Sequence, residues 1–305
     1  MQNDATLTDG PLTEECKADF SDIYTQPDPR AYYRTLGALD YQIPRVALPV
    51  FEAALAARRP RSGAAGEGGH QVVLDLCCSY GVNAALFRCG SGLNSADPLS
   101  VEKRYTDPRL SRLSPAEILA ADKAFYSGRR PELKLLGLDA SEPAIRYAVE
   151  AGLLDHAWAE DLESGRPSSG LAAGIRDVDM LISTGGVGYV GRPTFEQILK
   201  TVERPGDLWL VVFVLRVFDY GPIADLLADH GLITERLPVT FRQRRFANEE
   251  EREAALRDVE NQGLNPEGRE ADGWFHANCF VSRPPAEAAR ISVLDLWRAS
   301  RRGAR

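Results

Sequence analysis

Residues 72–81, VVLDLCCSYG, decide the fold that this sequence predicts. Apolar residues run up to Asp75, a short turn of small residues follows, and an apolar pattern resumes in the next stretch, VNAALFRCG. This order predicts a buried parallel strand, a tight turn and the first helix of an α/β sheet. Nucleotides bind where a strand enters a helix through a turn of this kind, so the stretch is also the first candidate site.

The stretch VLDLCCSYGVNAAL resembles the first motif of class I S-adenosylmethionine (SAM) dependent methyltransferases, an acid followed by glycines at alternate positions. Asp75 stands at the acid and Gly81 at the last glycine, while Cys77 and Ser79 replace the two earlier glycines. Both replacements are small, so a ligand can still approach the backbone, but a side chain makes φ > 0 more costly than it is for glycine. The resemblance implies that these residues and Tyr80 border the cofactor.

Two acids follow at later strand ends. ELKLLGLDAS is predicted as the second strand, and the resemblance implies that Asp139, followed by Ala140, accepts hydrogen bonds from the cofactor ribose. A helix cap for SEPAIRYAVEAGLL is the alternative role for Asp139. In DHAWAEDLESG, Asp161 resembles the position that receives the adenine amino group, with Ala159 or Glu160 beside the ring. A surface acid at a loop end is the alternative for Asp161.

A glycine-rich turn, TGGVGYVG, follows the predicted fourth strand VDMLIST. The resemblance places this turn beside the methionine part of the cofactor and beside the acceptor, and it implies cofactor contacts for Ser183, Thr184, Gly185 and Gly186. Tyr189 is predicted to project into the pocket, either with its ring face against the sulfonium or positioning a nucleophile. Packing on the helix beneath is the alternative.

The remaining strands complete the fold prediction. GDLWLVVFVLRVFDYG has the continuous apolar run of a buried central strand. TERLPVTFRQRRF and WFHANCFVSRPP alternate with period two and flank a charged insertion, which matches the terminal hairpin of the family. We therefore predict an α/β fold, Rossmann-like and doubly wound, with a seven-stranded mostly parallel sheet, one antiparallel strand and an N-terminal helical lid.

The predicted organisation has four parts. They are a polar, disordered N-terminus at 1–20, a helical lid segment at 21–60, a SAM-binding α/β domain at 70–285 with insertions at 90–131 and 246–271, and a C-terminal tail at 286–305. The arginine-rich end of the tail is expected to be a frayed terminus.

The lid segment is rich in tyrosine and interrupted by proline. Pro44 and Pro49 are predicted to bracket a turn, after which VFEAALAARR forms a helix. In the family such a segment often covers the active site, so the resemblance implies that some of its tyrosines contact the substrate. The candidates are Tyr24, Tyr32, Tyr33 and Tyr41. Packing against the sheet is their alternative role.

Composition excludes several classes of function. The net charge of −8 over 305 residues argues against general binding to nucleic acid or to an anionic membrane. No apolar run approaches the ~20 residues of a membrane span, and no secretion signal is visible, so a cytoplasmic location is expected. Five cysteines, an odd number, suit reduced thiols. Cys77 and Cys78 should point to opposite faces, so no metal site is predicted.

Taken together, the landmarks predict a SAM-dependent methyltransferase that acts on a small-molecule acceptor in small-molecule metabolism or biosynthesis, by in-line transfer from the sulfonium to give S-adenosylhomocysteine (SAH). Tyr189 and His276 are the candidate catalytic residues. Two alternatives stay open. One is a SAM-consuming enzyme that attacks the γ-carbon and releases methylthioadenosine, by aminocarboxypropyl transfer or by azetidine-ring closure. The other is a non-catalytic SAM-binding protein. The oligomeric state is not determined by the sequence.

Overall fold

The computed structural model describes residues 20–59, 70–89, 98–127, 130 and 132–303. The strands are β1 (Gln71–Leu76), β2 (Leu133–Asp139), β3 (His156–Ala159), β4 (Met180–Thr184), β5 (Trp209–Leu215), β6 (Ile233–Arg245) and β7 (Trp274–Arg283). They form one sheet in the order β3-β2-β1-β4-β5-β7-β6, in which β7 is antiparallel to both of its neighbours and the other pairs are parallel. The predicted fold class is confirmed.

The helices within the described ranges cover both faces of this sheet. They are α1 (Ser21–Tyr24), α2 (Arg30–Ala38), α3 (Ile43–Ala57), α4 (Val82–Cys89), α5 (Pro98–Thr106), α6 (Pro115–Tyr126), α7 (Glu142–Glu150), α8 (Ser169–Gly174), α9 (Arg192–Thr201), α10 (Gly221–Asp229), α11 (Glu249–Asn261), α12 (Pro285–Arg290) and α13 (Val293–Gly303).

Strand alternation divides the core into two layers. On β5, Val211 and Phe213 belong to the cluster that contains α3, α4 and α7. Val212 and Val214 belong to the cluster that contains α8, α9 and α10. All seven residues of β5 are buried, as expected for a central strand with helices on both faces.

The lid segment packs against the helical layer that contains α4 and α7. Ile23 of α1 and Tyr32 and Leu36 of α2 belong to the same core cluster as α3. In α3 the Phe51 ring lies 5.6 Å from Phe213 and 6.0 Å from Phe87. The predicted turn between Pro44 and Pro49 is wrong, because α3 runs unbroken through both. Pro44 lies in the first turn, where its missing N–H costs nothing, and burial of the neighbouring side chains offsets the hydrogen bond lost at Pro49.

The C-terminal end is a packed helix, so the expected fraying is wrong. Trp297 of α13 lies edge-on to Phe241 of β6 at 5.5 Å, and Leu296 is buried. The arginines that suggested a loose tail lie on the other side of an amphipathic helix, where Arg298 and Arg301 are exposed.

The two predicted insertions each contain a helix among the described residues, and their bounds stay a prediction. In the first, Ser114 caps α6 and exchanges hydrogen bonds with Glu117 in a capping box. The second insertion holds α11. The prediction for residues 1–20 lies outside the described residues except for Phe20, as do Cys16 and residues 60–69 and 90–97. Among the described helices, none has the length and apolar character that crossing a membrane requires.

Candidate functional site

The ends of β1, β2 and β4 meet at one edge of the sheet. Leu76 pairs with Leu138, so Asp139 lies one residue beyond the end of β1. Asp75 pairs with Ile182, which places the turn after β4 beside the turn after β1. The three predicted landmarks on these strands therefore converge, as the carboxyl ends of neighbouring parallel strands must.

The turn after β1 has the backbone conformation of a glycine-rich turn, although Cys77 and Ser79 occupy two of the glycine positions. Cys77 and Ser79 adopt φ of +59° and +50°, and Gly81 adopts +73°. A left-handed conformation costs a non-glycine residue roughly 1–2 kcal/mol. Such strain concentrates at functional sites, where the surroundings hold the backbone in place. The predicted opposite orientation of the two cysteines is confirmed, since Cys78 packs against Gly137 in one layer and Cys77 against the other.

Asp75 is buried, and only one of its two carboxyl oxygens has a hydrogen-bond partner among the described residues. Its Oδ1 accepts a 2.9 Å hydrogen bond from Asn83, but within the described residues its Oδ2 has no hydrogen-bond partner, nor does the buried Ser79 hydroxyl. Burial raises the pKa of Asp75 to about 8. The hydrogen bond from Asn83 lowers this pKa, and the charge of Asp139 raises it by a smaller amount. Two unpaired buried oxygens at one turn indicate a site that is completed by a ligand.

Asp139 joins two turns. Its Oδ2 accepts from the Ser79 backbone N–H at 2.8 Å, and its Oδ1 accepts from the Ser141 N–H at 2.9 Å. Burial raises its pKa, while these backbone hydrogen bonds lower it. The cap of α7 is Ser141, whose hydroxyl accepts from Ala144 N–H, so the alternative capping role falls to Ser141. Each Asp139 oxygen keeps a second lone pair for a ligand hydroxyl.

The turn after β4 approaches the turn after β1 closely. Gly185 has φ +78° and donates its N–H to the Phe213 carbonyl. The Ser183 side chain is fully buried and donates to the Leu76 carbonyl at 2.9 Å, so it fixes the sheet end. The Thr184 hydroxyl accepts from Asn83 at 3.1 Å. Asn83 is a polar residue inside an apolar helix pattern, which is the signal by which the sequence could have identified it.

We expect Gly186→Ala to destabilise the protein by about 1–3 kcal/mol, because the site is overpacked by the new methyl group. An added Cβ would lie 2.7 Å from Ser183 Oγ and 2.8 Å from Cys77 Sγ. Urea unfolding measures the effect, and Cys77→Gly in the same chain should recover part of it by removing the sulfur. Gly37→Ala is the control, since nothing lies within 4 Å of its Cβ position. A double variant with no recovery would contradict the predicted contact.

Three predicted tyrosines gather around the same edge. Tyr24 and Tyr41 of the lid segment interact electrostatically with Tyr189 of the turn after β4. Burial raises the pKa of Tyr24 and raises that of Tyr41 to about 12, and Tyr189 contributes to both increases. Tyr189 is 63% exposed, so it lies at the mouth of this group. We call Tyr24, Tyr41 and Tyr189 the tyrosine wall.

The other predicted aromatic residues serve packing. Tyr32 is buried among the rings of four other tyrosines, and Tyr33 stacks on Tyr105 at 4.4 Å. The Tyr80 side chain is buried, and its hydroxyl bonds to the carbonyls of Ile23 and Gln26. It therefore ties the lid segment to the turn after β1, while the cofactor role of Tyr80 and the substrate roles of Tyr32 and Tyr33 stay predictions.

The loop after β3 is held by its own acids. Asp161 is exposed and accepts from the Glu163 N–H at 2.8 Å and from the Ser164 hydroxyl at 2.6 Å, hydrogen bonds that lower its pKa. Glu160 accepts from both the hydroxyl and the N–H of Ser168. Glu163, which the sequence did not single out, accepts from Gly191 N–H at 2.7 Å and so connects this loop to the turn after β4. The adenine role of Asp161 stays a prediction.

His276 lies on β7 beside Thr240 of β6. Its Nδ1 is 3.1 Å from the Thr240 hydroxyl, and Arg269 also donates to that hydroxyl. Burial, with Arg216 and other arginines nearby, lowers the His276 pKa to about 4. The catalytic role of His276 stays a prediction, and sequence alternation could not tell which face of β7 it would occupy. Within the described residues, no cluster of histidine, cysteine and acidic side chains is arranged to bind a metal.

Comparisons with known proteins add structural likenesses at low identity. Neither the protein-family models nor the curated proteins give a match. A TehB-like SAM-dependent methyltransferase from Corynebacterium glutamicum is 16% identical over 83% of this chain and 94% of its own, with a TM-score of 0.40. The plantazolicin methyltransferase BamL, solved with SAH, is 10% identical over 86% and 94%, with a TM-score of 0.43. An O-methyltransferase of a Brevibacillus brevis polyketide synthase, also solved with SAH, is 13% identical over 99% and 90%, with a TM-score of 0.37. The site is accordingly interpreted from its own geometry.

Proposed function

We propose that this chain is a SAM-dependent methyltransferase that acts on a small-molecule acceptor. The observation that carries the proposal is the buried Asp75, whose Oδ2 lacks a partner in the described structure and which lies at the junction of strand, left-handed turn and helix. A buried carboxyl group in this state is completed by a cationic ligand, because the cation allows it to ionise without leaving a buried charge unpaired. The α-ammonium group of SAM supplies such a cation.

The residues at the sheet edge fit the rest of that ligand. Asp139, at the end of β2, would hold the ribose hydroxyls with its remaining lone pairs. Ser79 has a buried hydroxyl free to bond the same ligand. The rings of the tyrosine wall offer π-faces to a positive charge. When bound, SAM supplies a methyl group on a sulfonium, which is a good leaving group.

This chain has to align the methyl donor with the acceptor and to exclude water from the site. The lid segment is tied down beside the site by Tyr80, and also by Ser141, whose hydroxyl donates to the Tyr24 carbonyl at 2.6 Å. A lid segment fixed in this way would hold the methyl donor and the acceptor in line. Alignment of two bound reactants can supply ~7–11 kcal/mol of the barrier reduction in favourable cases.

The tyrosine wall is suited to hydrogen bonding rather than to proton abstraction. The raised pKa of Tyr24 and of Tyr41 keeps both phenols neutral near pH 7. The acceptor would therefore attack with a lone pair that it already carries, forming its bond to the methyl carbon as the bond from that carbon to sulfur breaks. Any proton on the attacking atom then passes to water.

The test begins with SAH binding by calorimetry and continues with SAM incubation. Purified protein is incubated with SAM alone and then with pooled small molecules, and the adenosine products are identified by mass spectrometry. We expect SAH only when an acceptor is present, together with a product heavier by one methyl group. Methylthioadenosine above the no-enzyme background would mean attack at the γ-carbon and would overturn the proposal. Binding of SAH without any turnover in the pools would favour a non-catalytic role.

A further inference from the structure

Gln243 on β6 places a buried amide against the turn after β4. The residue is 6% exposed, and its Nε2 lies 2.6 Å from where a Cβ on Gly185 would be. In the part of the chain that the structure describes, no hydrogen bond to this side-chain amide is seen, and neither its oxygen nor its nitrogen is among the fully enclosed polar atoms, so the amide stays accessible to a ligand. A primary amide can donate two hydrogen bonds and accept two, so a ligand that reaches Gln243 can bond to it.

The backbone of Gln243 fixes the amide next to the lid segment. Its carbonyl accepts from Gln42 N–H at 2.8 Å, and Arg245 N–H donates to the Leu39 carbonyl at 2.7 Å. These two bonds attach the end of β6 to the loop between α2 and α3, which carries Tyr41. Gln243 therefore lies between the two segments that provide the tyrosine wall.

The neighbouring cation is already neutralised. Arg244 is buried, and its two terminal nitrogens donate to both carboxylate oxygens of Glu251 at 2.8 Å and 2.6 Å. Its positive charge still lowers the pKa of Tyr24 and Tyr41, so it lies close to the tyrosine wall. Asp75 and Asp139 also act on these tyrosines, but both would be engaged by SAM, so an ionised acceptor at this wall would find no free opposite charge among the described residues. Burying such a charge costs several kcal/mol.

We infer that the Gln243 amide binds the acceptor together with the tyrosine wall, and that the acceptor is uncharged where it meets them, presenting a carbonyl, amide or hydroxyl group. This inference rests on the proposed function. A site built to hydrogen-bond such a group rejects analogues that lack it, because the buried amide is then left unpaired. Gln243 is thus a specificity residue, and no local pattern indicates it because its neighbour Gly185 lies 58 positions away along the chain.

Three ligands that differ only in charge test the inference. They are 4-hydroxybenzamide, which is neutral, 4-hydroxybenzoate, which is anionic, and tyramine, which is cationic. Saturation-transfer NMR measures the affinity of each for the protein saturated with SAH. We expect the neutral ligand to bind at least about 10-fold more tightly than the other two, the equivalent of one good hydrogen bond kept rather than lost.

Two substitutions separate recognition from folding. Gln243→Leu should weaken 4-hydroxybenzamide binding about 10-fold and leave SAH affinity unchanged, while Gln262→Leu, at an exposed helix end, should change neither. Gln243→Glu should shift the preference to tyramine, a gain that misfolding cannot produce. Equal binding of the three ligands, binding of none, or an unaffected Gln243→Leu would overturn the inference. Failure of the wild-type protein to bind SAH would overturn the proposed function itself.

Discussion

Replacing Asp75 with asparagine is expected to lower the affinity for SAM by about 10- to 100-fold, the range for loss of a hydrogen bond to a charged group. Asparagine can keep the contact with Asn83 by presenting its carbonyl, but it cannot pair with the ammonium group. Calorimetry measures the affinity. Asp207→Asn, an exposed acid just before β5 at the other end of the sheet, is the control and should bind as the wild type does.

The same variant should change the dependence of stability on pH. The folded pKa of Asp75, about 8, lies above its ordinary value of 3.8, so the folded state favours the protonated form. Its contribution to the free energy of unfolding is fully present below the ordinary value and is lost as pH rises through about 8. Asp75→Asn should therefore flatten the loss of stability across this window and be the more stable protein above it. Thermal unfolding of both proteins across this window measures the difference.

SAM binding should be linked to proton release for the same reason. Near pH 7 the free protein holds Asp75 protonated, and pairing with an ammonium group requires the carboxylate. Affinity should rise with pH up to about 8 and then level off. Calorimetry in two buffers of different ionisation enthalpy should detect close to one proton released by the wild type and none by Asp75→Asn. An equal proton release by both proteins would show that Asp75 does not receive the cation.

Replacing Asp139 with alanine is expected to impair both binding and folding. The ribose loses its acceptors, which should weaken SAM binding by about 10- to 100-fold. The N–H groups of Ser79 and Ser141 lose their partners, and each such loss costs about 1–3 kcal/mol where the group stays buried. Calorimetry gives the first effect and urea unfolding the second.

Two comparisons make the Asp139 result interpretable. Asp139→Asn retains one acceptor oxygen, so it should be more stable than the alanine variant while still binding SAM weakly. Asp229→Ala, at the exposed end of α10, should change neither property. A variant of Asp139 that is destabilised yet binds SAM normally would leave Asp139 with a purely structural role and remove the ribose assignment.

Local patterns were enough for the sheet and for the acids at its edge. Each strand is a short apolar or alternating run, and the position of Asp75 or Asp139 at a strand end is read directly along the chain. The order of these elements predicted the fold class, since buried parallel strands with intervening helices have few arrangements. The capping box of α6 is equally local, because Ser114 and Glu117 are three residues apart.

Residues whose partners are distant in sequence were placed wrongly or missed. Pro49 suggested a break, yet packing of α3 on the sheet keeps the helix whole. His276 was chosen by residue type, and only the fold shows that its side chain contacts the Thr240 hydroxyl. Tyr80 sits inside the best-recognised motif, and only the fold shows that its hydroxyl is bonded to the lid segment, more than fifty residues earlier.

The α/β class, the strand–turn–helix junction at residues 72–81 and the acids at the strand ends follow from the order of residues along the chain, because those features depend on neighbours in sequence. The left-handed backbone of Cys77 and Ser79, the buried oxygen of Asp75 without a partner among the described residues, and the packing of Gln243 against Gly185 are visible only in the fold. Burial, strain and hydrogen-bond completeness are properties of what surrounds a residue, and for these residues the surroundings come from distant parts of the chain.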